Sequence, residues 1–373
     1  MLSLFKVNGY KNFQETVSLD FTDVRDYKFN NSCINNGLIK KMIIYGKNAV
    51  GKTNFCSALF DIAPFYPINT PRNTVLADDE TDYDVSYLNT SSNKKYAEFY
   101  YKFKFEDQNV EYIYRKAAQN TIIYEKISIN DELLVEYDRK NNKLRETRGI
   151  EKLSNTLILD FENVASIFHF IIYNVPLEPD HPLKKTSTYI DRMRMLRSPV
   201  SRLGFGMRKP IQSSIFGSSG LKEFEKFLHN SGIQEGLLLL KDNDERERLY
   251  FNTTPPLPFH QVASSGTKSL LDFYVVFKRA KSNASSLLIM DEFDAFYHFE
   301  LAESLIKMLD LLKNTQIIIT SHNTNLLTNR IMRPDCYFIM TKEKLTSFAN
   351  ATTRELREGH NLEKLYTSGE FDG

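Results

Sequence analysis

Cysteine is scarce in this chain, with only Cys33, Cys56 and Cys336 in 373 residues. An odd, widely spaced set makes neither a disulfide framework nor a metal-ligand set, and it points to a reducing cytoplasmic setting. Net charge is nearly absent, at +1. No global field therefore steers the molecule to nucleic acid or to an anionic membrane. Long apolar runs are missing too: Ser286–Met290 and Ile317–Ile319 fall far short of the ~20 residues that cross a bilayer. The start, Met1-Leu2-Ser3-Leu4-Phe5-Lys6-Val7, alternates like a strand and lacks a cationic segment before an apolar core, so no secretory leader is expected. No heptad pattern persists, which excludes a long coiled coil, and no internal repeat or low-complexity tract is present.

The most informative stretch is Gly46-Lys47-Asn48-Ala49-Val50-Gly51-Lys52-Thr53. It follows the apolar run Met42–Tyr45 and precedes a helix-compatible segment, Asn54–Phe60. A nucleotide phosphate needs converging backbone N–H groups, a helix N-terminus and a cation. Gly46 and Gly51 let the loop curl, Lys52 reaches the β- and γ-phosphates, and the Thr53 hydroxyl holds Mg²⁺. Three further stations accompany it. Leu287–Met290 runs apolar into Asp291 and Glu292, as a buried parallel strand does when it delivers acids to a ligand at its carboxyl edge. Asp291 is expected to hold Mg²⁺ through water and Glu292 to polarise the attacking water. Gln316–Thr320 reads as the next strand, ending at Ser321-His322, where His322 can sense a γ-phosphate. Ala263-Ser264-Ser265-Gly266-Thr267 opens an amphipathic helix whose N–H groups an anion can use.

The remaining organisation is coarser. Leu2–Val7 and Thr16–Phe21 read as a hairpin leading toward the P-loop strand. Pro64, Pro67 and Pro71 break the chain after the P-loop helix. Ala97–Phe105, Val110–Arg115, Thr121–Ile129 and Leu133–Tyr137 form an antiparallel meander. Leu157–Asn174 and Gly220–Leu240 look helical, with a Pro-punctuated connection over Val175–Leu183. Arg192, Arg194, Arg197, Arg202, Arg208 and Lys209 make a basic stretch, either a solvated helix face or a docking patch for a partner or nucleic acid. From residue 255 the α/β alternation returns, with strands near Leu257–Val262, Leu287–Met290, Gln316–Thr320 and Cys336–Met340, and helices from Ser265, over Leu301–Leu312 and after residue 323. The fold class is α/β: a P-loop NTPase with an antiparallel β-lobe and a helical insertion. Its expected parts are 1–95 and 255–373 for the two halves of the core, 96–150 for the lobe and 151–254 for a mainly helical insertion.

The order of P-loop, serine-glycine signature, Asp-Glu strand and Ser-His switch resembles the ABC-type ATPase heads of SMC, RecF and RecN proteins. It is most similar to the small OLD-related ATPases of antiphage defence operons. Gly9-Tyr10-Lys11-Asn12-Phe13 resembles the turn at the start of those heads, which implies that Lys11 approaches the nucleotide. Gly51-Lys52-Thr53-Asn54 has their P-loop form, and Asp291–His298 resembles their Asp-Glu segment, with Tyr297 in place of leucine. The signature departs, reading Ser-Ser-Gly-Thr for Ser-Gly-Gly-Gln. A Q-loop glutamine has only Gln108 and Gln119 as candidates. The resemblance implies ATP and Mg²⁺ as cofactors and a slow ATPase. It implies a homodimer or higher homo-oligomer in which Ser264, Ser265, Gly266 and Thr267 complete the partner's site. A separate nuclease or toxin subunit is the expected effector. The alternative is a RecF-like ATPase acting directly on DNA; no membrane partner is expected.

Overall fold

The computed structural model describes residues 1–63, 87–139, 141, 143–146, 164–197, 218–241, 247–282 and 285–371. Strands β1 (Leu2–Asn8) and β2 (Val17–Asp20) open the chain. The two-residue strands β3 (Ile34–Asn35) and β4 (Leu38–Ile39) lead into β5 (Lys41–Tyr45), which feeds helix α1 (Lys52–Phe60). A meander follows, of β6 (Ala97–Phe105), β7 (Gln108–Ala118), β8 (Thr121–Ile129), β9 (Glu132–Asp138) and β10 (Lys143–Glu146). Helices α2 (Ile167–Asn174) and α3 (Pro182–Asp191) precede β11 (Met193–Arg197). Helix α4 (Ser218–Asn230) precedes a small sheet of β12 (Leu237–Lys241), β13 (Glu247–Phe251) and β14 (Leu257–Pro258). The last third holds α5 (Phe259–Val262), α6 (Ser265–Lys281), β15 (Leu287–Asp291), α7 (Phe299–Met308) and β16 (Gln316–Thr320). It closes with β17 (Tyr337–Met340), β18 (Leu345–Ser347), α8 (Phe348–Ala351) and α9 (Leu362–Thr367).

Two large sheets carry the architecture. The core sheet has the order β11-β15-β16-β5-β17-β18 and is parallel except for β18. Every residue of β5, β15 and β16 is buried, as expected for parallel strands covered on both faces. The second sheet is antiparallel, in the order β10-β9-β8-β7-β6-β1-β2. The pattern along β6 alternates buried and half-buried residues, with Phe99, Tyr101 and Phe103 on the inward face. Gln316 clasps the two sheets together. Its Oε1 accepts from Leu2 N at 2.8 Å and from the Tyr189 hydroxyl at 2.7 Å, while Nε2 donates to Leu2 O at 2.9 Å. A buried amide satisfied on both sides this way locks β1 to β16 without an orphaned polar atom.

The structure departs from the sequence reading at several elements. The β1–β2 hairpin joins the meander, with Phe5 facing Tyr101 across the sheet, instead of leading directly to β5. Within 220–240 the helix stops at Asn230, and 237–241 is a strand, because Gly232 takes φ 91° and ends the helical run. Only Leu257–Pro258 of the expected 257–262 strand is extended; Phe259–Val262 forms a helical turn. Between residue 323 and β17 the expected helix is replaced by two 3₁₀ turns, Thr324–Leu326 and Pro334–Cys336. Among the described residues, the span 151–254 contributes strands β11, β12 and β13 besides helices α2, α3 and α4. Pro64, Pro67, Pro71, residues 157–163 of the expected 157–174 helix, Arg202, Arg208 and Lys209 lie outside the described residues.

Candidate functional site

Parallel strands deliver their carboxyl ends to one edge, and here four neighbours do so together: Arg197 of β11, Asp291 of β15, Thr320 of β16 and Tyr45 of β5. From Tyr45 the chain enters the glycine loop. Gly46 has φ 156°, and a Cβ there would lie 2.5 Å from the Met340 carbonyl oxygen at the end of β17. Gly51 has φ 110° and stands at the N-terminus of α1, where a Cβ would strike the Asn12 amide. Both positions exclude a side chain for steric reasons. Lys47, Asn48 and Ala49 are exposed on the loop, Val50 is buried beneath it, and Thr53 is exposed on the first turn of α1. Lys52 is buried, its Nζ donating to Gly46 O at 2.8 Å and Lys47 O at 3.1 Å, so the cation crosses the mouth of its own loop. Burial lowers its pKa, and Asp291 and Glu292 act in the opposite direction, which places the lysine in the field of both acids.

Thr320 organises the acids. Its hydroxyl donates to Asp291 Oδ1 at 2.7 Å and accepts from the Glu292 backbone N–H at 2.7 Å. Asp291 is buried, whereas Glu292 is exposed with a left-handed φ of 50°. Lys11 and Ala49 share that rare conformation, at φ 47° and 61°. Each such residue costs of order 1 kcal/mol, and such strain gathers at functional sites. His322 lies just past β16. Its pKa is lowered by burial first and by Lys52 next, against Glu292, Asp294 and Asp291, so the imidazole is held toward neutrality beside the two acids. The preceding Ser321 donates to Asp294 Oδ2 at 2.9 Å, which fixes the turn carrying the histidine.

Asn12 was not singled out by sequence reasoning, although it lies inside the quoted Gly9–Phe13 turn. Its Nδ2 donates to Val50 O at 3.1 Å and its Oδ1 accepts from Asn54 Nδ2 at 2.7 Å, bracing the loop and α1 from outside. Thr320 was likewise passed over as a plain strand residue. The Ser264 turn opens α6. Ser264 caps α6 by accepting from Thr267 N at 3.1 Å, and the two hydroxyls meet at 2.8 Å. Ser264 and Ser265 are exposed, Gly266 half-buried and Thr267 buried. The Tyr297 hydroxyl donates to Ser269 Oγ at 2.9 Å, joining this helix to the Asp-Glu segment. Between them lies a cavity of about 80 Å³ whose walls include Arg197, Ser265, Lys268, Asp272 and Asp291.

Among its described residues the arginine stretch is not helical. Met193–Arg197 is a core strand, Arg194 donates to the carbonyls of Asp191 and Met193, and Arg197 bonds Ser57 of α1. Of the three, Arg192 alone is exposed. The pattern misled because a strand at the sheet edge tolerates alternating arginines as readily as a solvated helix does. Gln108 and Gln119 lie at the two ends of β7, in the hairpins of the meander.

A central strand entering a glycine loop and a helix, with acids at the carboxyl end of a parallel strand two places away in the same sheet, defines a P-loop NTPase of the α/β class. Residues 41–328 match the family described as "AAA domain, putative AbiEii toxin, Type IV TA system", and the chain belongs to it. No curated protein matches the sequence. Among solved structures, the chain is similar to an SMC head bound to the C-winged helix domain of ScpA, at 15% identity and TM-score 0.46, covering 93% of this chain and 97% of that one. It is also similar to the SMC head domain from Thermotoga maritima, at 13% identity and TM-score 0.43, covering 93% and 98%. A third is the Pyrococcus furiosus SMC head with an extended coiled coil, bound to the C-terminal domain of ScpA, at 11% identity and TM-score 0.44, covering 92% and 95%.

Proposed function

We propose that the chain is an ATP-binding and ATP-hydrolysing switch. It closes a homodimer or larger homo-oligomer around nucleotide and controls a separate effector, a nuclease or toxin, in bacterial antiphage defence. One observation carries the enzymatic part: Asp291, Glu292 and His322 stand at the ends of the neighbouring strands β15 and β16, and Lys52 of the glycine loop lies within electrostatic reach of all three. The residues suit the cofactors. A loop whose first glycine cannot take a Cβ leaves its backbone free to approach phosphates, and Lys52 needs only to leave two carbonyls to meet them. Thr53 and Asp291 would hold Mg²⁺, which neutralises phosphate charge during transfer.

The chain's own residues then divide the work. Gly46, Lys47, Asn48, Ala49, Val50, Gly51 and Asn54 shape the cradle, with Lys11 beside it. Glu292, exposed and held by Thr320, orients water and accepts its proton. His322, kept neutral, hydrogen-bonds the terminal phosphate and reports its departure. The exposed Ser264 and Ser265, with Gly266 and Thr267, face a second copy instead of the chain's own loop. The family description names a toxin of a Type IV TA system, which is the setting in which we place the effector output. Turnover of ATP by the purified chain, with and without Lys52→Ala, tests the switch. Co-purification from the native host tests the effector. A chain that hydrolyses nothing, or one that itself cleaves DNA or RNA, overturns the corresponding half.

A further inference from the structure

Arg197 belongs to the basic stretch, and the fold places it at the carboxyl edge of the core sheet, next to the strand that carries Asp291. It ends β11, the strand parallel to β15, and its register partner is Asp291. From the sheet's carboxyl edge its guanidinium reaches α1 and donates to Ser57 Oγ, while Ser57 donates to Thr53 O at 2.7 Å one turn nearer the glycine loop. Asp291 and Arg197 line the same small cavity. The electrostatics show which way the cation acts. Burial is the larger cause of the lowered Lys11 pKa, and Arg197 is the second, so two cations converge on one space beside the loop. The Cys56 thiol on α1 feels both Asp291 and Arg197. Asp272, which lines the same cavity, has its pKa raised to about 6 by burial alone.

Converging like charges are unfavourable until an anion lies between them, and a guanidinium offers a planar fork of donors suited to phosphate oxygens. We propose that Arg197 is a phosphate-binding residue of this site, resting on Ser57 without nucleotide and turning to the terminal phosphate of a bound triphosphate. The inference rests on the nucleotide reading above. Its placement beside the metal-side acid Asp291, and not beside the loop's first glycine, assigns it to the terminal phosphate, so it distinguishes triphosphate from diphosphate.

Equilibrium binding of ATP and ADP to the full-length chain tests this by titration calorimetry with Mg²⁺. Arg197→Gln is expected to weaken ATP about tenfold and leave ADP within about twofold, and Arg197→Lys to recover part of the ATP loss. Ser57→Ala, which removes the Ser57 contact and leaves the guanidinium in place, is expected to keep the wild-type preference for ATP over ADP. Equal losses for both nucleotides in Arg197→Gln, reproduced by Ser57→Ala, would show that the arginine merely ties β11 to α1 and would overturn the proposal; so would no loss at all. Lys52→Ala serves as the reference and should weaken both nucleotides. A wild-type chain that binds neither overturns the nucleotide reading and this inference with it, an outcome distinct from the others.

Discussion

At the scale of single residues, Glu292 combines exposure, a left-handed backbone and a hydrogen bond from its N–H to Thr320, a side chain that also holds Asp291. Glu292→Gln preserves shape and removes the charge that orients water. ATP turnover is expected to fall on the order of 10²–10⁴-fold while ATP still binds. A steady-state assay paired with a binding titration checks this, and wild-type turnover would reject the assignment. Much of this was legible in the residues themselves: the glycine loop, the acids after an apolar run and His322 after the next one all fell where their strands placed them. Asn12, Thr320 and Arg197 were not legible. Their importance comes from contacts between segments far apart in the chain, Asn12 with Val50 and Asn54, Arg197 with Ser57, and no local pattern encodes such a meeting.

At the scale of elements, the far end of α1 is gripped by the meander. Tyr101 donates to Ala58 O at 2.9 Å, and Asp61 accepts from the Tyr87 hydroxyl at 3.0 Å, the Tyr114 hydroxyl at 2.8 Å and Lys116 Nζ at 2.6 Å. A carboxylate at a helix C-terminus opposes the helix dipole, and the buried lysine offsets it. Asp61→Ala should therefore cost about 3–5 kcal/mol in urea unfolding, since a buried cation loses its compensating charge. Asp61→Ala combined with Lys116→Met should be more stable than Asp61→Ala alone; equal or lower stability would mean that the charge pair is not what matters. A second test concerns α6. Asp272 is raised by burial to about 6, from an ordinary value of 3.8. Its neutral form is the one favoured in the folded state, so stability falls as pH rises through that window and stays lowered above it. Asp272→Asn should match wild type near the lower bound and become more stable toward the upper one. The gap should level off at no more than about 3 kcal/mol. Thermal midpoints of the two proteins across that range read it directly, and a gap that does not change with pH would contradict it. The strands of the meander were legible because one wet face gives a period of two. The 237–241 strand was not, because Leu237-Leu238-Leu239-Leu240 carries no period to separate strand from helix.

At the scale of the whole molecule, the question is how the Ser264 turn and the glycine loop act together. Within one chain the turn is bound to the Asp-Glu segment through Tyr297 and Ser269, with Ser264 and Ser265 exposed. An exposed helix N-terminus tied to the Asp-Glu segment is suited to an anion brought by a second copy. ATP is accordingly expected to drive Glu292→Gln from monomer to dimer in sedimentation velocity, because binding persists while turnover is blocked. Gly266→Asp should prevent that shift by setting a carboxylate against the partner's phosphates. The substitution carries a local cost that must be separated from the charge: a Cβ at Gly266 meets the Phe296 carbonyl oxygen at 3.2 Å within the same chain. Gly266→Ala imposes the same contact without the carboxylate and is the proper reference. If Glu292→Gln/Gly266→Ala still dimerises with ATP while Glu292→Gln/Gly266→Asp does not, the phosphate of one copy lies against the signature of the other. If both double variants dimerise alike with ATP, the signature does not contact the partner's phosphates; if ATP leaves the Glu292→Gln profile unchanged, nucleotide does not bridge the subunits, and control of an effector would have to run through changes within a single chain.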